Sequence, residues 1–171
     1  MKDRISLSSY QREFLAKIIA IPSMGGYPEE GAPYGKELRR VLQTFLDEAK
    51  AKGFQTGIEG ERVGWVEFGE GDKLLGIICH LDVVPVGDGW NSDPFQLDFR
   101  RDETGLEAMY GRGIVDDKGA ACAAFFAMQE LADESRTPKN YRVRLILGMH
   151  VLPVLHGYFP VEPKPPAPRS V

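Results

Sequence analysis

The stretch LLGIICHLD, residues 74–82, carries the decisive reading of this chain. Leu74 to Cys79 is almost wholly apolar, the pattern of a strand buried on both faces of a sheet. His80 and Asp82 follow at its end. Side chains two apart on a strand point to the same side, so an imidazole and a carboxylate share one face there. In open α/β sheets this C-terminal edge is where ligands bind. An imidazole nitrogen is a good zinc ligand, and a carboxylate on the other ring nitrogen fixes its tautomer. Taken alone, a histidine at a strand end is more often structural than a ligand.

Further on, Gly111-Arg112-Gly113 forms a loop that lets the backbone approach another group closely. Asp116-Asp117-Lys118-Gly119 then opens a helix predicted from about 119 to 132. Its first turns, Ala120 to Met128, are apolar on every side, which predicts burial. An aspartate in that place is commonly just an N-cap. It is also favoured by the helix dipole, and its two oxygens can bridge two cations. Paired ions about 3.5–4 Å apart polarise a carbonyl and lower the pKa of a bridging water. Together the two motifs read as half of a metal site at His80 and Asp116.

Around these motifs the chain alternates helix and strand signals. Residues 8–20 place Tyr10, Phe14, Leu15, Ile18 and Ile19 on one helical face, with Ser8 or Ser9 as cap. Residues 24–35 read as a loop rich in glycine and proline. A second helix over about 36–52 carries the stripe Leu38, Val41, Leu42, Phe45, Leu46 and Ala49, with Gly53 past its C-terminus. Val63 to Phe68 and Tyr141 to Leu147 read as strands. Residues 95–100 and 106–110 flank a polar turn, as in a hairpin. This order argues for an α/β layered domain. From Pro153 onward six prolines interrupt any period, so the tail is expected to be extended or disordered.

The 171 residues suffice for one domain with a real core. A net charge of −4 lacks the basic footprint of a nucleic-acid binder. No apolar stretch is long enough to span a bilayer, and no signal-peptide core follows Met1. Cys79 and Cys122 lie in apolar runs and read as buried free thiols in a reducing compartment. No nucleic acid, no membrane and a cytoplasmic location are therefore expected.

CHLDVVPVGDGW at 79–90, DPF at 93–95 and YGRGIVDDKGA at 110–120 resemble the di-zinc metallopeptidases that include carboxypeptidase G, aminoacylase, acetylornithine deacetylase and succinyl-diaminopimelate desuccinylase. Residues 21–54 and 65–85 resemble the bacterial dipeptidase V branch most closely. The resemblance covers roughly residues 8–148, with the motifs in the right order. It implies the N-terminal part of a zinc-peptidase catalytic domain, a mixed sheet flanked by helices, without the lid domain. It implies His80 as a ligand to one Zn2+ and Asp116 as the bridge between two. Asp82 takes the catalytic assignment, as support for His80. Co2+ or Mn2+ suit the same ligand types. A cis peptide at Asp116–Asp117 is also implied. Arg112, Asp117 and Lys118 match motif positions and are given structural roles only.

The resemblance stops after Gly148. Where the family places two adjacent glutamates, a general base and a zinc ligand, this chain reads Met149-His150-Val151. The expected division is a partial catalytic domain over 1–148 and an atypical tail over 149–171. A shifted reading frame or a gene-model error would account for so abrupt a change. His150 and His156 read as chance histidines of that tail. The substrate implied for the parent enzyme is a dipeptide or an N-acyl amino acid, hydrolysed at its amide bond. The chain itself is expected to be inactive. The rival expectation is a non-catalytic remnant that binds a partner or a full-length subunit.

Overall fold

The computed structural model describes residues 7–101 and 103–149. Helix α1 runs Ser9–Ile19 and is closed by a reciprocal cap. The Gln11 amide donates to Ser8 Oγ at 3.2 Å, and the Ser8 amide donates to Gln11 Oε1 at 2.8 Å. Helix α2 runs Lys36–Ala51, and all six residues of its apolar stripe are buried. Gly53, at φ +86°, turns the chain out of it. Between the two helices lies the expected loop, tied once by a Glu29–Ala32 bridge.

Among the described residues four strands make the main sheet: β1 (Gln55–Glu59), β2 (Val63–Gly69), β3 (Lys73–His80) and, last of them in sequence, β6 (Tyr141–Gly148). Their order is β1-β2-β6-β3. The β1–β2 and β2–β6 pairs are antiparallel, and β3–β6 is parallel. The sheet is therefore mixed, as expected. A separate hairpin, β4 (Asp98–Arg101) and β5 (Glu107–Tyr110), precedes helix α3 (Lys118–Asp133). The hairpin starts later than its apolar pattern suggests. Asp93 makes its own turn there, its Oδ1 accepting the Phe95 amide at 2.8 Å and its carbonyl the Gln96 amide at 3.1 Å.

Register sorts the sheet into two faces. Val66, Leu145 and Leu147 are buried against the helices, and Cys79 joins them. Above them a ring cluster fills the space between helices and sheet. Phe14 meets Phe45 edge-on at 5.3 Å and Phe125 at 5.7 Å, and Phe54 meets Phe125 at 5.5 Å. The opposite face carries Trp65, Glu67, Arg142 and Arg144. There Glu67 is buried because Arg142 Nη1 and Arg144 Nε hold its two oxygens at 3.1 and 2.6 Å.

Three expectations need correction. First, β3 is not buried on both faces. It is an edge strand, and Ile78 is 78 % exposed and Leu75 52 % exposed. The apolar run reads as central, but among the described residues nothing pairs with its outer side. Second, strand β1 has no counterpart in the expected elements. Its sequence QTGIE mixes polar residues with Gly57, which lies directly under the Trp65 indole. Third, α3 is buried on one face, through Ala121, Cys122, Phe125, Phe126 and Met128, while Ala120, Ala123 and Ala127 are exposed. Alanine makes that exposed stripe look apolar without demanding cover. The tail expected from 149 onward lies, from residue 150, outside the described residues, as do His150 and His156.

Candidate functional site

His80 ends β3 beside Gly148 of β6. The next amide, Leu81 N–H, still donates inward to the Gly148 carbonyl at 2.9 Å. The His80 N–H points the other way, off the sheet edge, and donates to Asp117 Oδ2 at 3.1 Å. The chain then leaves the sheet along Ser23. Ser23 Oγ donates to the Leu81 carbonyl at 2.7 Å, and the Val83 amide donates to the Ser23 carbonyl at 3.0 Å.

The imidazole lies between two carboxylates. Its Nδ1 is 3.1 Å from Asp82 Oδ1, a buried oxygen, and 3.3 Å from the Asp82 carbonyl. Its Nε2 is 2.9 Å from Asp116 Oδ1. The Asp116 side chain is 78 % exposed and stands at the mouth of the site. A proton on Nδ1, donated to Asp82, leaves the Nε2 lone pair aimed at a carboxylate oxygen.

Asp116 is delivered by a tight turn. Gly113 sits at φ +90° and its carbonyl accepts the Gly119 amide at 3.1 Å. A side chain on Gly119 would collide with the Ile114 carbonyl, its Cβ only 1.9 Å away. The Asp116–Asp117 peptide is cis. Asp117 occupies the position before α3 without capping it, because its carboxylate is turned to β3. The next residue, Lys118, is wholly buried, and its Nζ donates to the carbonyls of Ile18 at 3.0 Å and Ile21 at 2.6 Å.

His80, residues 82–84 and residues 111–116 enclose a cleft of about 210 Å³ that holds the Nε2–Asp116 contact. Arg112 closes one side. Its Nη2 donates to the Val86 carbonyl at 2.8 Å and its guanidinium lies 5.2 Å from the Trp90 ring, whose Nε1 donates to the same carbonyl. Burial pushes the Lys118 ammonium down to about 8, and Arg40 adds to the effect. Burial, then the Asp117 charge, pushes the Cys79 thiol up to about 11. Burial pushes Cys122 up further.

The structure thus brings His80, Asp82 and Asp116 together from two distant segments. Asp82 lies on the far side of the ring from the Nε2–Asp116 gap. Among the described residues no group of three or more His, Cys, Asp or Glu side chains could hold an ion. Two contributors were not singled out by their residue types. Ser23 reads as part of a helix break, and Asp117 as a motif position with a structural role only, since a serine or aspartate beside a helix has many local uses.

Comparison with known proteins gives a consistent answer. The pattern of peptidase family M20/M25/M40 matches residues 76–149, so the match ends where the sequence departs from the expected glutamates. The Beta-Ala-Xaa dipeptidase of Lactobacillus delbrueckii subsp. lactis is 41 % identical over 136 residues, covering 78 % of this chain and 28 % of its own length. YtjP of Bacillus subtilis (strain 168) is 41 % identical over 118 residues, covering 69 % of this chain and 24 % of its own. The chain therefore spans about a quarter of the length of the curated relatives it matches. The fold matches human carnosine dipeptidase 1 with a TM-score of 0.60 at 23 % identity, over 82 % of this chain and 32 % of that one. It matches the M20 family metallo-carboxypeptidase Sso-CP2 of Sulfolobus solfataricus with 0.62 at 22 %, over 83 % and 31 %. Among the described residues no helix is long and apolar enough to cross a membrane. Residues 76–149 thus resemble peptidase family M20/M25/M40, the chain is similar to about a quarter of these dipeptidases, and its fold matches about a third of the solved peptidases.

Proposed function

We propose that His80 and Asp116 are ligands to a divalent metal, zinc in the first instance, in a site that hydrolyses the amide bond of a dipeptide. The single observation that carries this is the 2.9 Å approach of Nε2 to Asp116 Oδ1 while Nδ1 is taken by Asp82. Ligand atoms around one tetrahedral zinc stand roughly 3.3 Å apart, so the pair, now at hydrogen-bond distance, needs to open only slightly to take two corners of such a site. The nitrogen and oxygen donor set suits zinc, and Co2+ or Mn2+ in its place. Asp82 holds the ring in the tautomer that presents Nε2. Asp116 offers a second, exposed oxygen for a bridging role. When bound, the metal pair polarises the scissile carbonyl and acidifies a water. A dipeptide is the substrate class favoured by the likeness to the Beta-Ala-Xaa dipeptidase.

A catalytic zinc takes three protein ligands, and the described residues bring two to the gap. A general base is likewise not among them. On the described residues, weak zinc binding and no dipeptide turnover are therefore expected. Zinc titration of the purified protein, with His80→Ala and Asp116→Ala beside it, tests the ligand reading. Loss of uptake in both variants is expected, and equal uptake in all three sinks the reading. Zinc-dependent dipeptide hydrolysis that Asp116→Ala abolishes would show the site to be complete after all.

The exposed β3 edge favours a second reading, a non-catalytic piece that binds a partner or a full-length subunit. Absence of both zinc uptake and turnover, with retained folding, would leave that reading in place.

A further inference from the structure

The two sides of the site come from segments far apart in the chain, yet both fasten to one short stretch, Ile21-Pro22-Ser23. On one side, Ser23 brackets Asp82: its hydroxyl donates to the Leu81 carbonyl at 2.7 Å and its carbonyl accepts the Val83 amide at 3.0 Å. On the other side, Lys118, two residues past Asp116, donates to the Ile21 carbonyl at 2.6 Å and to the Ile18 carbonyl at 3.0 Å. Ser23, Lys118 and Leu81 are all fully buried. These bonds are shielded from water, so breaking one forfeits a buried polar contact that water cannot readily replace. Ile18 lies in the last turn of α1, where a cation complements the helix dipole. Ile21–Ser23 itself is stiffened by Pro22 and by short local bonds, the Ser23 amide to the Ile21 carbonyl at 2.8 Å and the Met24 amide to the Pro22 carbonyl at 2.7 Å.

We infer that Ile21–Ser23 is a strut, and that Ser23 and Lys118 are positioning residues that set the separation of His80 from Asp116. Neither side chain reaches the gap itself. They act through the backbone on either side of it, at Leu81 and Val83 for one ligand and at the start of α3 for the other. The direct tie from the His80 amide to Asp117 completes a closed loop of contacts around the site. The inference rests on the metal reading only for its functional meaning; the strut is a property of the protein alone.

The test compares Ser23→Ala and Lys118→Met with a control, Ala49→Gly, in the buried face of α2 away from the site. Zinc affinity is measured by competition with a chromophoric chelator, and the His80 ring resonances are recorded in metal-free protein. Loss of a group that orients a ligand weakens metal binding roughly tenfold or more. Both strut variants are expected to show that loss and to shift or broaden the His80 ring signals. The control should lose stability while keeping both properties, and Ser23→Thr, which retains the hydroxyl, should recover much of the affinity. Should Ser23→Ala fail to fold, Lys118→Met is read by the same two measures. Wild-type affinity with unchanged ring signals in a folded strut variant overturns the inference. If the wild type takes up no zinc, the metal reading falls, and the ring signals alone decide the strut: unchanged signals overturn it, shifted signals uphold it.

Discussion

At His80 the two ring nitrogens meet different neighbours, and the difference assigns work to each carboxylate. Asp82 is buried and can only orient the ring; Asp116 is exposed and can meet a ligand. Asp82→Ala should therefore weaken zinc binding by about 10- to 100-fold without removing a ligand, whereas His80→Ala should abolish it; equal effects in a titration would contradict this division. Cys122 carries a separate prediction. Its thiol is held neutral in the fold by burial, while the unfolded chain ionises it near 9.0. The folded state then binds more protons than the unfolded one, so this contribution is complete below about pH 9 and is lost as pH rises. Urea melts across pH 8–11 should show stability falling by up to ~1.4 kcal/mol per pH unit from this group, a slope that Cys122→Ala removes. Lys118 works in the opposite sense, because its depressed folded value favours the native state as pH rises through about 8; the comparison with Cys122→Ala isolates the thiol. His80, Asp82 and Asp116 were legible in the sequence because their types and spacing are uncommon together. Ser23 and the true role of Asp117 were not, because a short polar side chain takes its partner from whatever the fold places beside it.

Helices announce themselves here more plainly than strands. The α1 and α2 boundaries follow from a cap and a glycine, both local features. Ser8→Ala should cost about 1 kcal/mol by thermal melt, since it removes the hydroxyl half of the reciprocal cap. Strand β1 escaped because QTGIE has no clean alternation, and its place depends on Trp65 folding over Gly57. A substitution of Gly57 by alanine would drive a Cβ into that indole at 2.4 Å, so a loss of roughly 1–3 kcal/mol is expected. For β3 the difficulty is different. Its residues suit a central strand, and the surface they leave open, at Leu74, Leu75 and Ile78, is a matter of which elements lie beside it rather than of its own sequence.

At the scale of the whole molecule, β3 is an edge strand among the described residues and carries exposed apolar side chains, a template for association. Self-association is expected in size-exclusion chromatography, and Ile78→Lys should reduce it at little cost in stability; a sharp monomer peak for the unaltered chain would refute this. The α/β class was legible from the alternation of helix and strand patterns, and the mixed sheet from the family resemblance. The exposed edge was not, because a sequence does not say how much of a sheet will be assembled. The sheet order has one last consequence, in time rather than in space. β6 is the final described strand in the chain, yet it lies between β2 and β3 and makes both of their pairings. Until residues 141–148 leave the ribosome, the β1–β2 hairpin and β3 have nothing to join them, and His80 has no sheet to stand on. Translation arrested at residue 140 should yield a nascent chain still open to protease across β3, and release past residue 149 should close it.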